Sequence, residues 1–185
     1  MLTPFQKRKF RILFDHLDSN GNGILQWRDI MVHMDTIKGL KGWTDENPRF
    51  IQLMMSEMAY WDKVLERVDA DGNGVVSPEE FEAFYASVVE EIGRTDRVPS
   101  WSLDLLRSKF RVLDIDGNGD VSQEEFALYL QAIRCPSDPV EVFARVDLNG
   151  DGRIGFGELE ALFRQFVLSS DPAEPGNYIM CGRCE

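Results

Sequence analysis

Apolar positions recur along this chain in a pattern that repeats four times. Phe14 and Leu17, Leu65 and Val68, Phe110 and Leu113, and Phe143 and Val146 each stand three residues apart. A polar, glycine-rich stretch of twelve residues follows each pair. The spacing then resumes at Ile30 and His33, Phe81 and Phe84, Phe126 and Tyr129, and Leu159 and Leu162. Intervals of three and four place side chains on one helix face. Each unit is therefore expected to be helix, loop, helix, and the chain to be all-α.

Helix starts are marked at "TPF" (3–5), "NPRF" (47–50), "PSWS" (99–102) and "SDPVE" (137–141), where proline lies early in a helix or just outside it. The segment 38–46, "KGLKGWTDE", breaks the first exit helix before a long helix over 48–68. A second break, "EIGRTDRVPS" at 91–100, favours two lobes packed face to face over a dumbbell. The expected organisation is a first pair of units over 1–90, a linker over 91–100 and a second pair over 101–168. A tail over 169–185 is expected to pack on the body.

The loops align without a gap: "DSNGNGILQWRD" (18–29), "DADGNGVVSPEE" (69–80), "DIDGNGDVSQEE" (114–125) and "DLNGDGRIGFGE" (147–158). Each opens with Asp, has Asp or Asn at positions 3 and 5, Gly at positions 4 and 6, and an aliphatic residue at position 8. They hold fourteen of the 32 carboxylates and only two cations, Arg28 and Arg153, which sums to −12, the whole formal charge of the chain. Acid so concentrated repels itself unless something positive lies within it. Hard oxygen donors at this spacing select a hard divalent cation, and the last three loops fit the D-x-[DN]-x-[DN]-G-x5-E calcium pattern completely.

The pattern assigns ligands by position. In the second loop they are Asp69, Asp71, Asn73, the Val75 carbonyl and Glu80. The third offers Asp114, Asp116, Asn118, the Asp120 carbonyl and Glu125, and the fourth Asp147, Asn149, Asp151, the Arg153 carbonyl and Glu158. Ser77 and Ser122 at position 9 are candidates for water-mediated ligation, whereas Gly155 leaves that place to water alone. The first loop offers Asp18, Asn20, Asn22, the Ile24 carbonyl, Gln26 and Asp29. Its position 12 is Asp rather than Glu, and it carries two ligand charges against three in each other loop. Three or four calcium ions are therefore expected, with magnesium a competitor at the first loop.

These residues resemble the EF-hand family, with four motifs over nearly the whole chain. The long first connection and the tail "SSDPAEPGNYIM" are similar to the sarcoplasmic calcium-binding proteins and their bacterial relatives of the calerythrin type. The resemblance implies paired units whose position-8 residues join in short β-ribbons, Leu25 with Val76 and Val121 with Ile154. Members of that group often carry one degenerate loop, while all four loops here look usable.

Other features narrow the function. No apolar run reaches the eighteen or so residues of a membrane span, and "MLTPFQKRKFRILF" reads as an amphipathic helix rather than a signal peptide. Three cysteines without an export signal point to a reducing compartment, hence the cytoplasm. The acidic balance disfavours nucleic acid, and a monomer is expected. "CGRC" at 181–184 has redox-motif spacing but lacks a strand–helix setting or further zinc ligands, so it reads as an incidental or oxidation-sensitive tail. The basic residues Lys7, Arg8, Lys9 and Arg11 read as a solvated helix face. His33 reads as a core or boundary residue.

No nucleophile triad or phosphate loop is present, so no enzymatic activity is expected. The primary reading is a calcium buffer or a modulator of calcium signals. A sensor opening a groove rich in Met and aromatic residues onto an unidentified protein target is the alternative. For it speak Met31, Met34, Met54, Met55 and Met58 with Trp43, Tyr60 and Trp61; the competing reading of the same residues is a packed interior. A photoprotein-like luciferin binder is third, with only two histidines and none in the C-terminal half against it.

Overall fold

The computed structural model describes residues 1–179. In chain order it comprises α1 (Pro4–Leu17), α2 (Trp27–Lys41), α3 (Pro48–Val68), α4 (Pro78–Thr95), α5 (Ser100–Leu113), β1 (Asp120–Ser122), α6 (Gln123–Ala132), α7 (Pro139–Val146), β2 (Arg153–Gly155) and α8 (Phe156–Leu168). A 3₁₀ turn follows at Pro175–Tyr178. The "CGRC" cysteines lie outside the described residues.

Local chemistry explains where the helices begin and stop. Thr3 Oγ1 accepts from the Gln6 N–H (3.2 Å) while Gln6 Oε1 accepts from the Thr3 N–H (2.9 Å), a reciprocal cap that satisfies two orphan donors of α1. Asn47 and Asp138 cap α3 and α7, each followed by a proline. Gly42, at φ 63°, ends α2 in the left-handed conformation that glycine adopts cheaply. Helix α4 runs on to Thr95, and Asp96, itself left-handed at φ 55°, ends it, so residues 96–99 separate α4 from α5.

Loops join in pairs. Leu25 and Val76 form an isolated antiparallel bridge, and β1 pairs with β2 with Val121 opposite Ile154. The helices flanking the loops then share one apolar interior. Phe10 of α1 stacks on Tyr85 of α4 with ring centres 4.3 Å apart, and both meet Phe166 of α8 edge-on. Phe84 of α4 meets Trp101 of α5. Helix α3 packs on α5 and α2 on α6. The two pairs are thus packed into one body, with α1–α4 against α5–α8.

Two surface expectations need correction. Lys7, Arg8 and Arg11 are exposed, but Lys9 has no exposed surface. Its Nζ donates to the Ser169 carbonyl (2.8 Å) and Asn177 Oδ1 (3.1 Å) and lies over the Phe166 ring, because this face of α1 meets α8 and the segment that follows it. The methionines divide as well: Met34, with Met54, Trp43 and Tyr60, packs in a second apolar cluster as the packed-interior reading expects, whereas Met55 and Met58 stay exposed on α3. They do not form one interior cluster.

Candidate metal centres

Each loop is shaped by its own acid at position 1. Asp69 Oδ1 accepts from the N–H groups of Gly72 (2.8 Å) and Asn73 (3.2 Å), and Oδ2 from Gly74 (2.9 Å). Asp18 does the same with Gly21, Asn22 and Gly23. Asp114 holds Asn118 and Gly119, and Asp147 holds Gly150 and Gly152. The position-6 glycines Gly23, Gly74, Gly119 and Gly152 have φ between 83° and 94°, which a side chain would strain. Position 3 then accepts from the position-5 N–H, and position 5 from that of position 7: Asp71 from Asn73 (3.1 Å) and Asn73 from Val75 (3.0 Å) in the second loop. Asn20 and Asn22, Asp116 and Asn118, and Asn149 and Asp151 repeat both bonds. The main chain is therefore curled around one point per loop.

Position 12 closes the ring in the last three loops. Glu80 Oε1 accepts from the N–H groups of Ala70 (2.9 Å) and Asp71 (3.4 Å), and Oε2 from the Ser77 N–H (2.9 Å). Glu125 repeats this with Ile115, Asp116 and Ser122, and Glu158 with Leu148, Asn149 and Gly155. Ser77 and Ser122 serve as N-caps of α4 and α6, each Oγ accepting from the glutamate N–H and donating to its carboxylate. The S-x-x-E spacing carries that capping signal. The Ser77 N–H is the foremost influence holding the Glu80 carboxyl below its ordinary pKa, while burial raises that of Asp114.

Among the described residues, Asp69, Asp71 and Glu80 bring carboxylate oxygens within 4.8 Å of one another, and so do Asp114, Asp116 and Glu125. Three like charges at that separation favour a cation among them. The donors are all oxygen, which suits calcium or magnesium rather than a softer metal. Asp147, Asp151 and Glu158 are not gathered so closely, and the first loop has only two of the carboxylates in its ligand set. Between loops three and four, Arg153 reaches Asp120 at 3.3 Å, so two of the position-7 residues are ion-paired through their side chains.

The first loop closes differently. Asp29 is fully buried; Oδ1 accepts from Asn20 Nδ2 (2.8 Å) and Oδ2 from the Gln26 N–H (3.0 Å). Burial pushes its carboxyl up. Ser19 Oγ donates to the Asp29 carbonyl (3.3 Å) and lies 2.8 Å from His33 Nε2. Ser19 and His33 thus brace this loop, a role the reading of ligand positions passed over. The visible signal was His33 standing one helical turn after Asp29.

Beside the first loop is a partly open pocket of about 80 Å³ lined by Asp29, His33, Trp61, Tyr60 and Lys109 among apolar side chains. Lys109 lies 3.5 Å from buried Glu57 across the α3–α5 contact. No described helix is long and apolar enough to cross a membrane.

Comparison with known proteins agrees with this geometry. A model of the EF-hand domain pair matches residues 104–171, and a second such model matches residues 72–133. The sarcoplasmic calcium-binding proteins I, III and IV of Branchiostoma lanceolatum are 26% identical over 182 residues, 97% of each chain. A solved calcium-binding protein of Streptomyces coelicolor is 25% identical with a TM-score of 0.64, covering 88% of this chain and 97% of its own. The coelenterazine-binding protein of Renilla muelleri, 18% identical, shares the fold with a TM-score of 0.73 over 98% of this chain and 99% of its own.

Proposed function

We propose that the chain, whose EF-hand pairs match over residues 72–171, is a calcium-binding member of the EF-hand superfamily that acts, without enzymatic activity, as a calcium buffer or modulator of calcium signals. The observation that carries this is the convergence of Asp69, Asp71 and Glu80, and of Asp114, Asp116 and Glu125, at the positions the loop spacing names. Those six residues, with Asn73, Asn118 and the carbonyls of Val75 and Asp120, are the proposed ligands of the second and third sites. Asp147, Asn149, Asp151, Arg153 and Glu158 form the fourth, and Asp18, Asn20, Asn22, Ile24 and Asp29 the first. Occupancy by three or four ions follows, with magnesium competing at the first. Calorimetric calcium titration with and without magnesium tests this; fewer than three calcium sites would reject it.

Buffer is favoured over sensor because the apolar helix faces are already spent on the shared interior, where Phe10, Tyr85 and Phe166 join α1, α4 and α8. The sensor alternative draws on the exposed Ile51, Met55 and Met58 of α3. It also draws on the Streptomyces coelicolor protein, which serves calcium-mediated regulation. A calcium-dependent rise in hydrophobic dye binding would select the sensor. A luciferin-binding role would need a sizeable apolar pocket, and the apolar one beside Asp29 and Trp61 holds about 80 Å³. That is far below the roughly 300 Å³ at which pockets for drug-sized ligands begin. Division into pairs over 1–90 and 101–168, a monomeric state and cytoplasmic residence complete the proposal.

A further inference from the structure

The end of the described chain does not trail over the surface. It crosses the fourth unit, and Gly176 marks the crossing. A Cβ at that position would lie 2.5 Å from both Gln165 Cβ and Phe166 N, and closer still to the Leu162 carbonyl, so only glycine fits against the α8 backbone. The Gly176 N–H donates to Gln165 Oε1 (2.9 Å). Two residues later Tyr178 lies under the Arg145 guanidinium of α7 (4.7 Å), and Ile179 is buried in the main core. The segment therefore touches both helices that flank loop four, α7 on entry and α8 on exit.

A second set of bonds ties this segment to the other end of the molecule. Lys9 of α1 donates to Ser169 and Asn177, and Gln6 Nε2 donates to the carbonyls of Val167 (2.9 Å) and Leu168 (3.1 Å). Asn177 Nδ2 in turn donates to the Asp171 carbonyl (2.7 Å), which folds the segment back on itself. A fully buried ammonium is costly unless its bonds are made. Two of them run to Ser169 and Asn177, so docking of residues 169–177 helps to satisfy the ammonium.

We propose that residues 169–179 are an intramolecular clasp that fixes the angle between α7 and α8, with Lys9 as its latch. A sensor EF-hand responds to calcium by opening the angle between its two helices from roughly 135° to roughly 95° and exposing the groove between them. A segment seated on both helices holds that angle and occupies the groove in cis. Calcium then enters loop four without uncovering a docking surface. The clasp deepens the buffer reading, and it also makes the fourth unit answer to the N-terminal helix.

The test uses the full chain with Gly176→Leu, which forces the segment off α8, and Lys9→Met, which removes the latch while leaving the crossing intact. Three readouts are compared with wild type at fixed calcium: protease cleavage within 169–179, anilinonaphthalene sulfonate fluorescence, and the calcium titration of the Gly152 amide resonance. That amide reports on site four because it donates to Asp147 Oδ2 (2.8 Å); the Gly74 amide, bonded to Asp69, is the control in the second loop. The expected result is faster cleavage, several-fold higher dye fluorescence in calcium and a shifted Gly152 midpoint with Gly74 unmoved. Lys9→Met should do the same to a smaller extent, and it decides the matter if circular dichroism finds Gly176→Leu unfolded. A segment that stays protected in the folded variants overturns the clasp. So does a released segment with unchanged dye binding and an unchanged Gly152 titration. Should wild type itself gain dye fluorescence with calcium, the buffer reading fails, while the clasp is still judged by the difference between variant and wild type.

Discussion

Leu25 and Val76 exchange both main-chain hydrogen bonds, Leu25 N to Val76 O at 2.8 Å and Val76 N to Leu25 O at 2.9 Å. This single bridge joins the first two loops, where a three-residue ladder joins the third and fourth. Because position 8 follows the carbonyl ligand at position 7, movement in one loop is passed directly to the other. Val76 has no exposed surface. Val76→Ala leaves a small cavity under the bridge and should lower stability by about 2 kcal/mol. It should also reduce cooperativity between the first and second sites and leave the third and fourth unchanged. Denaturant titration in calcium and calorimetry on the same variant check both.

The register of that bridge was legible because the loops align without a gap and the EF-hand resemblance implies that position 8 meets position 8 of the paired loop. The helix faces were legible for the same reason, since a periodic apolar stripe has one place to go. What escaped was set by partners far along the chain. Nothing near Lys9 says that its Nζ will meet Ser169 and Asn177 some 160 residues later, although Gln6, Lys9 and Leu13 do fall on one helix face. Glu57 and Lys109 likewise belong to different units and meet only because α3 packs on α5. Ligand identities rest on local spacing; buried polar partners rest on tertiary packing.

Removing calcium should loosen the protein markedly. With empty loops, Asp114, Asp116 and Glu125 face one another at short range without neutralisation. At calcium 1,000 times the dissociation constant, one site adds about 4 kcal/mol to folding. The melting temperature should fall steeply in chelator and recover with calcium, while sodium chloride of equal ionic strength recovers little of it. An unmoved melting temperature would uncouple the sites from folding.

Glu125→Gln should weaken the third site selectively. The carboxylate is buried and accepts from Ile115, Asp116 and Ser122. A carboxamide keeps the length but turns a donor toward one set of N–H groups and removes one of three charges. Calcium affinity there should drop by on the order of tenfold or more, read as a lost or shifted step in the titration. Unchanged stoichiometry and affinity would count against the ligand set.

His33 gives the apo protein a pH dependence of definite sign. Burial, and then the charges of Lys109 and Arg134, lower its pKa from 6.5 to about 4. The unfolded chain takes up this proton as pH falls through 6.5, whereas the folded chain does so only near 4. The unfolded state therefore binds more protons across that window, and stability declines as pH drops from 6.5 toward 4. His33→Gln retains a group able to bond Ser19 and does not titrate, so its stability in chelator should fall less over the same range. The raised carboxyls of Asp29 and Asp114 act in the opposite direction and are common to both proteins. Parallel profiles for the two proteins would remove His33 from the account.

The first loop should be the odd one, weaker for calcium and more tolerant of magnesium. Its missing methylene is visible in the bonds. Glu80 and Glu125 accept from the N–H groups of positions 2 and 3, whereas the shorter Asp29 makes its close bond to the Asn20 side chain and only draws near the Ser19 and Asn20 N–H groups. Asn20 turns its amide N–H toward a fellow ligand carboxylate, as Asn73, Asn118 and Asn149 also do, so the difference lies in the reach and charge of position 12. Two formal charges rather than three further reduce the attraction for a divalent ion, and a tighter site suits magnesium with its shorter bonds of about 2.1 Å. Asp29→Glu restores the reach, and Asp29 borders the 80 Å³ pocket, so the added methylene has room. The substitution should raise calcium affinity at this loop by roughly tenfold and reduce magnesium competition, since affinity in this motif follows ligand charge and fit. Calorimetry with and without magnesium reads both effects. If neither changes, or if the wild-type first loop titrates tightest of the four, Asp29 is not what distinguishes it.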